Sequence, residues 1–211
     1  MILVGTVFWL KGHVMAKRPH ITETTRKNLT DAFWKIYQTK PIERISVREI
    51  TDLAGYNRGT FYLYFKDVHD ILEQIESDTL SIIESKARYY SGRFCSDFSG
   101  NDLSEVTAAA MEIFESCDYK PFILLSDRGD PRFEEAIKER MHSHLEEGVK
   151  KLVDTDDITK EYIIHFVISG VLGIIKKWYA DGMVIPVEEH LSAVCNVIFG
   201  SKFMINKQIN K

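Results

Sequence analysis

The segment SVREITDLAGYNRGTFYLYFKD, residues 46–67, constrains the fold more tightly than any other stretch, because it packs three helix starts around one forced turn. Ser46 can accept a hydrogen bond from the amide of residue 49 while Glu49 reaches back to residue 46, a capping box set directly before an apolar run. Val47, Ile50, Leu53 and Ala54 recur at helical spacing and predict one buried face, and Gly55 supplies the permissive backbone that ends the helix. Asn57 can cap a second helix, on which Phe61 and Phe65 point inward and leave Thr60 and Tyr64 on the opposite face with Asn57. Asp67, with Asp70 at the third helical position, caps a long exit helix that carries Ile71, Leu72, Ile75 and Leu80. Two short helices joined by a glycine turn, followed at once by a third, is the layout of a helix-turn-helix that reads DNA.

Helical periodicity continues on both sides of this segment. Leu29, Ala32, Phe33, Ile36 and Tyr37 line one face of a helix over roughly 22–39, stopped by the Lys40-Pro41 step and placed to brace the pair. Beyond the exit helix, which should run from 68 to about 91, SGRFCSDFSGND predicts a loop. Val106, Ala110, Ile113 and Phe114 predict a helix over about 103–117, and Pro121 starts a short one. Phe133, Ile137, Met141, Leu145, Val149 and Leu152 predict a helix over 131–153 with a densely charged outer face. Residues 161–182, EYIIHFVISGVLGIIKKWYADG, are apolar nearly all round through their middle, which implies cover on more than one side. Ser169 and Gly173 place small residues four apart, so a partner helix can approach closely. After Pro186 a last helix bears Leu191, Val194, Ile198 and Phe199. Ser169, Gly173, Leu191, Val194 and Ile198 are therefore expected in a dimer seam. No stretch alternates as a strand would, and the expected fold is all-α with about nine helices. A three-helix DNA-binding domain over 16–67 would precede a larger helical domain over 68–211.

Charge is divided in the same place. Residues 1–67 carry 11 Lys or Arg against 6 Asp or Glu, a balance of +5, and the remainder carries −9 within the total of −4. Lys17, Arg18, Arg26, Lys27, Arg48, Arg58 and Lys66 could neutralise phosphates, which would make binding steeply salt-dependent. Cys95, Cys117 and Cys195 stand far apart, which argues against a disulfide framework and for a reduced, cytoplasmic setting. The opening MILVGTVFWL is apolar but too short to span a bilayer, lacks a basic leader, and sits in an extra segment over 1–15. No membrane association is expected, and no metal or cofactor. His142 and His144 lie two apart and diverge on a helix, and no phosphate loop, nucleophile elbow or paired cysteine motif is present, so the chain does not read as an enzyme. His165, inside an apolar run, reads as a hydrogen-bonded core residue.

IERISVREITDLAGYNRGTFYLYFKDVHDIL resembles the DNA-binding region of the TetR family of bacterial transcriptional regulators, including its AcrR-like members, through the glycine, the Arg-Gly-Thr-Phe-Tyr run and the Tyr-Phe-Lys exit. SGVLGIIKKWYADGMVIPVEEH resembles, more weakly, the carboxy-terminal domain of a TetR subgroup common in low-GC Gram-positive bacteria. Met15 followed by AKRPHIT resembles the short basic start of such chains, so residues 1–14 are expected to reflect an upstream start codon. The resemblance implies a homodimer that binds a near-palindromic double-stranded operator and answers to a small-molecule effector, most simply as a repressor. An activator working through a protein partner is the alternative. Arg58 and Thr60 would then read base edges, while Arg26, Ser46, Arg48, Tyr62, Tyr64 and Lys66 would contact phosphates, with Asn57 and Gly59 completing the surface. Tyr64 replaces the usual histidine, Val68 a frequent lysine, and Leu63 a frequent aromatic residue; Leu63 is expected against a sugar or a thymine methyl. Phe114, Met141 and Phe166 are candidates to line an effector pocket for an apolar or aromatic ligand.

Overall fold

A computed structural model describes residues 19–96, 103–152 and 154–195. The segment 1–15, Lys17, Arg18, Ile198 and Phe199 lie outside them, as do the side chains of Cys95, Val106, Leu152, Val194 and Cys195. All the regular structure among the described residues is helical: α1 (Pro19–Tyr37), α2 (Val47–Ala54), α3 (Arg58–Tyr62), α4 (Val68–Ser96), α5 (Leu103–Ser116), α6 (Lys120–Leu124), α7 (Pro131–Leu152), α8 (Asp157–Ala180) and α9 (Val187–Cys195), with a 3-10 turn at Ile42–Arg44. The chain divides into two compact units at Ile71 and Leu72, near the start of α4.

In the first unit, α1 packs on α2 and α2 on α3. Leu29, Phe33 and Tyr37 of α1 are fully buried with Ile50 and Phe61, and the rings of Phe33 and Tyr37 stack at 5.4 Å. Phe65 closes the core, with its ring 5.6 Å from that of Phe61. Leu53 departs from expectation: it is 54% exposed, and Thr51 is buried in its place. The inward stripe runs from half-buried Val47 through buried Ile50 and Thr51 to half-buried Ala54, which is the i, i+3, i+4, i+7 row, and Leu53 falls off that row. Thr51 can sit inside because its hydroxyl donates to the carbonyls of Val47 and Arg48, both at 3.0 Å.

In the second unit, α5 packs on α9, and both α6 and α7 pack on α8. An aromatic group unites them: Phe114 stacks on Phe122 at 4.7 Å, Phe122 meets Trp178 edge-on at 4.9 Å, and Trp178 stacks on His190 at 5.0 Å. The Trp178 indole N–H donates to the Ile185 carbonyl at 2.9 Å, which pins the turn after α8. Polar ties flank this core, with Lys176 bonded to Glu134 at 2.8 Å and Arg140 to Glu84 at 3.0 Å.

Helix α8 starts four residues before the expected position, because Asp156 caps it by accepting from the Thr159 amide at 2.9 Å. Helix α4 also runs further than expected, through SGRFCS to Ser96. Among the described residues α8 is the one helix long and apolar enough to cross a membrane, but one face of it is core: Ile164, Ile168, Leu172, Ile175 and Trp178 are buried.

Candidate nucleic-acid interface

The interface is assembled by caps. At the start of α2 the Ser46 hydroxyl accepts from the Glu49 amide at 3.3 Å, and the Glu49 carboxylate accepts from the Ser46 amide at 3.0 Å, the capping box read from the sequence. Lys40 closes on the same carboxylate, and its hydrogen bond, with those from the Ser46 amide and hydroxyl, holds the Glu49 carboxyl down at about 2. Gly55 adopts φ 76°, ψ 30°, a left-handed conformation that lets its own amide and that of Tyr56 reach back to the Thr51 carbonyl. Asn28 of α1 donates to the Tyr56 hydroxyl at 3.0 Å and ties the turn to the bracing helix. Asn57 then starts α3 by accepting from the Thr60 amide at 2.8 Å, and Asp67 starts α4 by accepting from the Asp70 amide at 2.9 Å.

These restraints leave α3 with its outer surface open. Arg58, Gly59, Tyr62, Leu63 and Lys66 are exposed together with Asn57, while Thr60 and Tyr64 are half-buried. The expected opposition of Thr60 and Tyr64 to the phenylalanines is thus corrected: the outermost row is Gly59 and Leu63. Helical geometry accounts for this, since successive residues turn by about 100° and the direction opposite the midpoint of Phe61 and Phe65 is that of Leu63. Thr60 is further committed, because its hydroxyl donates to the Asn57 side-chain oxygen at 3.2 Å. Ser46 and Arg48 of α2 and Arg26 of α1 are also exposed, and Arg48 pairs loosely with Asp52 at 3.4 Å.

Family models match at both ends of the chain, one for bacterial regulatory proteins of the tetR family over residues 29–75 and one for a transcriptional regulator C-terminal region over residues 101–200. The chain belongs to the TetR family of transcriptional regulators. This regulator is 27% identical over 95 residues to the HTH-type transcriptional regulator AcrR of Shigella flexneri, a match covering 44% of the chain and 42% of that protein. It is 34% identical over 67 residues to the HTH-type dhaKLM operon transcriptional activator DhaS of Lactococcus lactis subsp. lactis (strain IL1403), covering 31% of the chain and 36% of that protein. The chain therefore aligns with less than half the length of either curated relative. The fold is similar to the crystal structure of a TetR transcriptional regulator from Streptococcus agalactiae 2603V, with a TM-score of 0.61 at 18% identity over 86% of this chain and 97% of that one.

The second unit places the remaining candidates apart. Phe114 is buried in the aromatic stack, Met141 is half-buried on α7, and Phe166 is 75% exposed on α8, so the three do not line one interior pocket. Phe166 instead joins Ile158 and Tyr162 in an exposed apolar row at four-residue spacing, on the side of α8 away from its buried stripe. Further along α8, Ser169 is half-buried and Gly173 exposed, with open space where a Gly173 side chain would stand. Leu191 is 5% exposed and belongs to the core rather than to a free surface. His165 is exposed, contrary to the core position read from the sequence. It lines a groove of about 420 Å³ between α7 and α8 with Lys138, Glu139 and His142. His142 meets the Glu161 carboxylate there at 2.9 Å.

Proposed function

We propose that this regulator is a cytoplasmic, ligand-responsive repressor that binds a near-palindromic operator as a homodimer. The observation that carries the reading is the capped α3, held by Asn57 and the Gly55 turn with Arg58, Tyr62, Leu63 and Lys66 on its open surface. Arg58, at the first helical position, is the base-edge reader for guanine, supported by Thr60 and the close approach that Gly59 permits. Tyr62, Tyr64 and Lys66, with Arg26, Ser46 and Arg48, hold phosphates and fix the register.

Dimerisation rests on α8. A helix whose inner stripe is core and whose outer row is Ile158, Tyr162 and Phe166 leaves apolar surface that a second copy can cover, with Ser169 and Gly173 admitting close approach. Two copies would present two recognition helices to successive major grooves about 34–36 Å apart. An effector bound in the larger unit would favour the dimer state in which the two helices no longer fit both half-sites, and a 100-fold preference, about 2.7 kcal/mol, suffices. Phe114 and Met141 remain the proposed effector contacts, and Phe166 is reassigned to the dimer row.

A mobility shift against the chain's own upstream DNA tests the reading. Sequence-dependent binding that weakens steeply with salt is expected, and salt-insensitive or absent binding would refute it. The 34% identity to an operon activator favours one alternative, activation in place of repression. Transcript levels of the neighbouring gene after deletion separate them, since a rise means repression and a fall means activation.

A further inference from the structure

We propose that Leu63 is a specificity-determining residue that reads the 5-methyl group of a thymine in each half-site. This rests on the DNA-reading function proposed for α3 and adds a contact to it. Leu63 is 64% exposed on a surface otherwise made of Asn57, Arg58, Tyr62 and Lys66, and helical turn places it opposite the buried Phe61 and Phe65. It is therefore an exposed apolar side chain at the helix's outer pole, among polar and charged neighbours. The residue one turn earlier in the same row is Gly59, which contributes no side chain between the helix backbone and whatever the pole faces. A Cβ added at Gly59 would meet nothing but the Asn57 side-chain oxygen, at 3.1 Å, so the protein does not itself fill that space.

Leu63 remains in register with α3 although the regular helix ends at Tyr62. Its φ and ψ are −76° and −20°, and the Phe65 amide still donates to the Phe61 carbonyl at 3.0 Å. A single exposed leucine is ordinary on a protein surface. One at the pole of a helix that enters a major groove is not, because the base edges there offer donors, acceptors and a single apolar group, the thymine methyl. A leucine facing guanine, cytosine or adenine would desolvate their polar edges without returning a hydrogen bond.

The test uses the full-length protein and an operator obtained by selection from random DNA, with each thymine exchanged in turn for deoxyuridine, which removes the methyl and leaves the pairing edge intact. The wild-type protein should lose about fourfold in affinity at one thymine per half-site, the value expected for one apolar methyl returned to water. Leu63→Ala should bind the thymine operator more weakly by a similar factor and show no further loss on the deoxyuridine operator. Its thermal unfolding should match wild type, since the side chain is exposed. Persistent operator binding in which Leu63→Ala retains the full deoxyuridine response, or in which no thymine responds, would overturn the contact while leaving α3 as the DNA reader. A protein that selects no sequence would overturn both.

Discussion

Arg58 and Lys66 both present cations beside α3, yet their expected consequences differ. An arginine bonded to guanine O6 and N7 discriminates by about 1 to 3 kcal/mol, so Arg58→Ala should weaken the selected operator far more than a scrambled duplex. Equal losses on both would remove Arg58 from base reading. Lys66→Ala should weaken every duplex alike and lower the salt slope by about one, measured by titration over a range of salt. In the second unit Glu76 deserves a separate test. One of its carboxylate oxygens is buried without a partner, and burial, reinforced by the Asp130 and Glu73 carboxylates against the opposing Arg132, pushes its carboxyl up to about 7. A carboxyl raised in the folded state contributes stability that is complete below its ordinary value near 4.5 and is lost as pH rises through about 7. Wild type should therefore be less stable at pH 8 than at pH 5 by on the order of 1 to 2 kcal/mol from this group, after allowance for its part exposure. Thermal melts of Glu76→Gln should show that difference flattened, and an unchanged pH profile would contradict the assignment. Nothing in local sequence marks Glu76, because its shift comes chiefly from burial, and two of the three charges acting on it, Asp130 and Arg132, stand more than fifty positions away. Leu53 departs from its expected place for a nearer reason: hydrophobicity favours the leucine, while the stripe's period and two backbone carbonyls favour Thr51.

Elements whose ends carry their own chemistry were legible. Ser46 with Glu49, Gly55, Asn57 and Asp67 each announce a boundary by a short-range hydrogen bond or a required left-handed residue, and each occupies that role. Ser46→Ala should destabilise the first unit by about 0.5 to 2 kcal/mol, read from denaturant or thermal midpoints. Acid should act on the same cap: with the Glu49 carboxyl held at about 2, its contribution is present above about 4.5 and is lost as pH falls through 2. The start of α8 was missed because its cap, Asp156 with Thr159, lacks the glutamate at the third position that marks α2. Its apolar character was legible, but which residues face outward was not, since Phe166 and Ile168 look alike until α6 and α7 bury one side. If Phe166 lies in the proposed dimer row, Phe166→Glu should convert dimer to monomer in sedimentation, because loss of an interface aromatic costs roughly 2 kcal/mol or more and the carboxylate adds its own desolvation. A variant that remains dimeric would move the seam off this row.

At the scale of the whole molecule, charge and architecture divide the chain consistently. The first 67 residues balance at +5 and the rest at −9, so the unit offered to a polyanion is the cationic one. The all-helical class followed from unbroken helical periods, whereas the clustering of Phe114, Phe122, Trp178 and His190 depends on contacts among α5, α6, α8 and α9 that no local pattern encodes. Selection of bound sequences from a random DNA pool tests the central claim most directly. Two inverted half-sites centred about 10 to 10.5 base pairs apart, or a multiple of that, are expected if paired subunits each insert α3 into a major groove. A pool that enriches no sequence, or a single unpaired half-site, would contradict it.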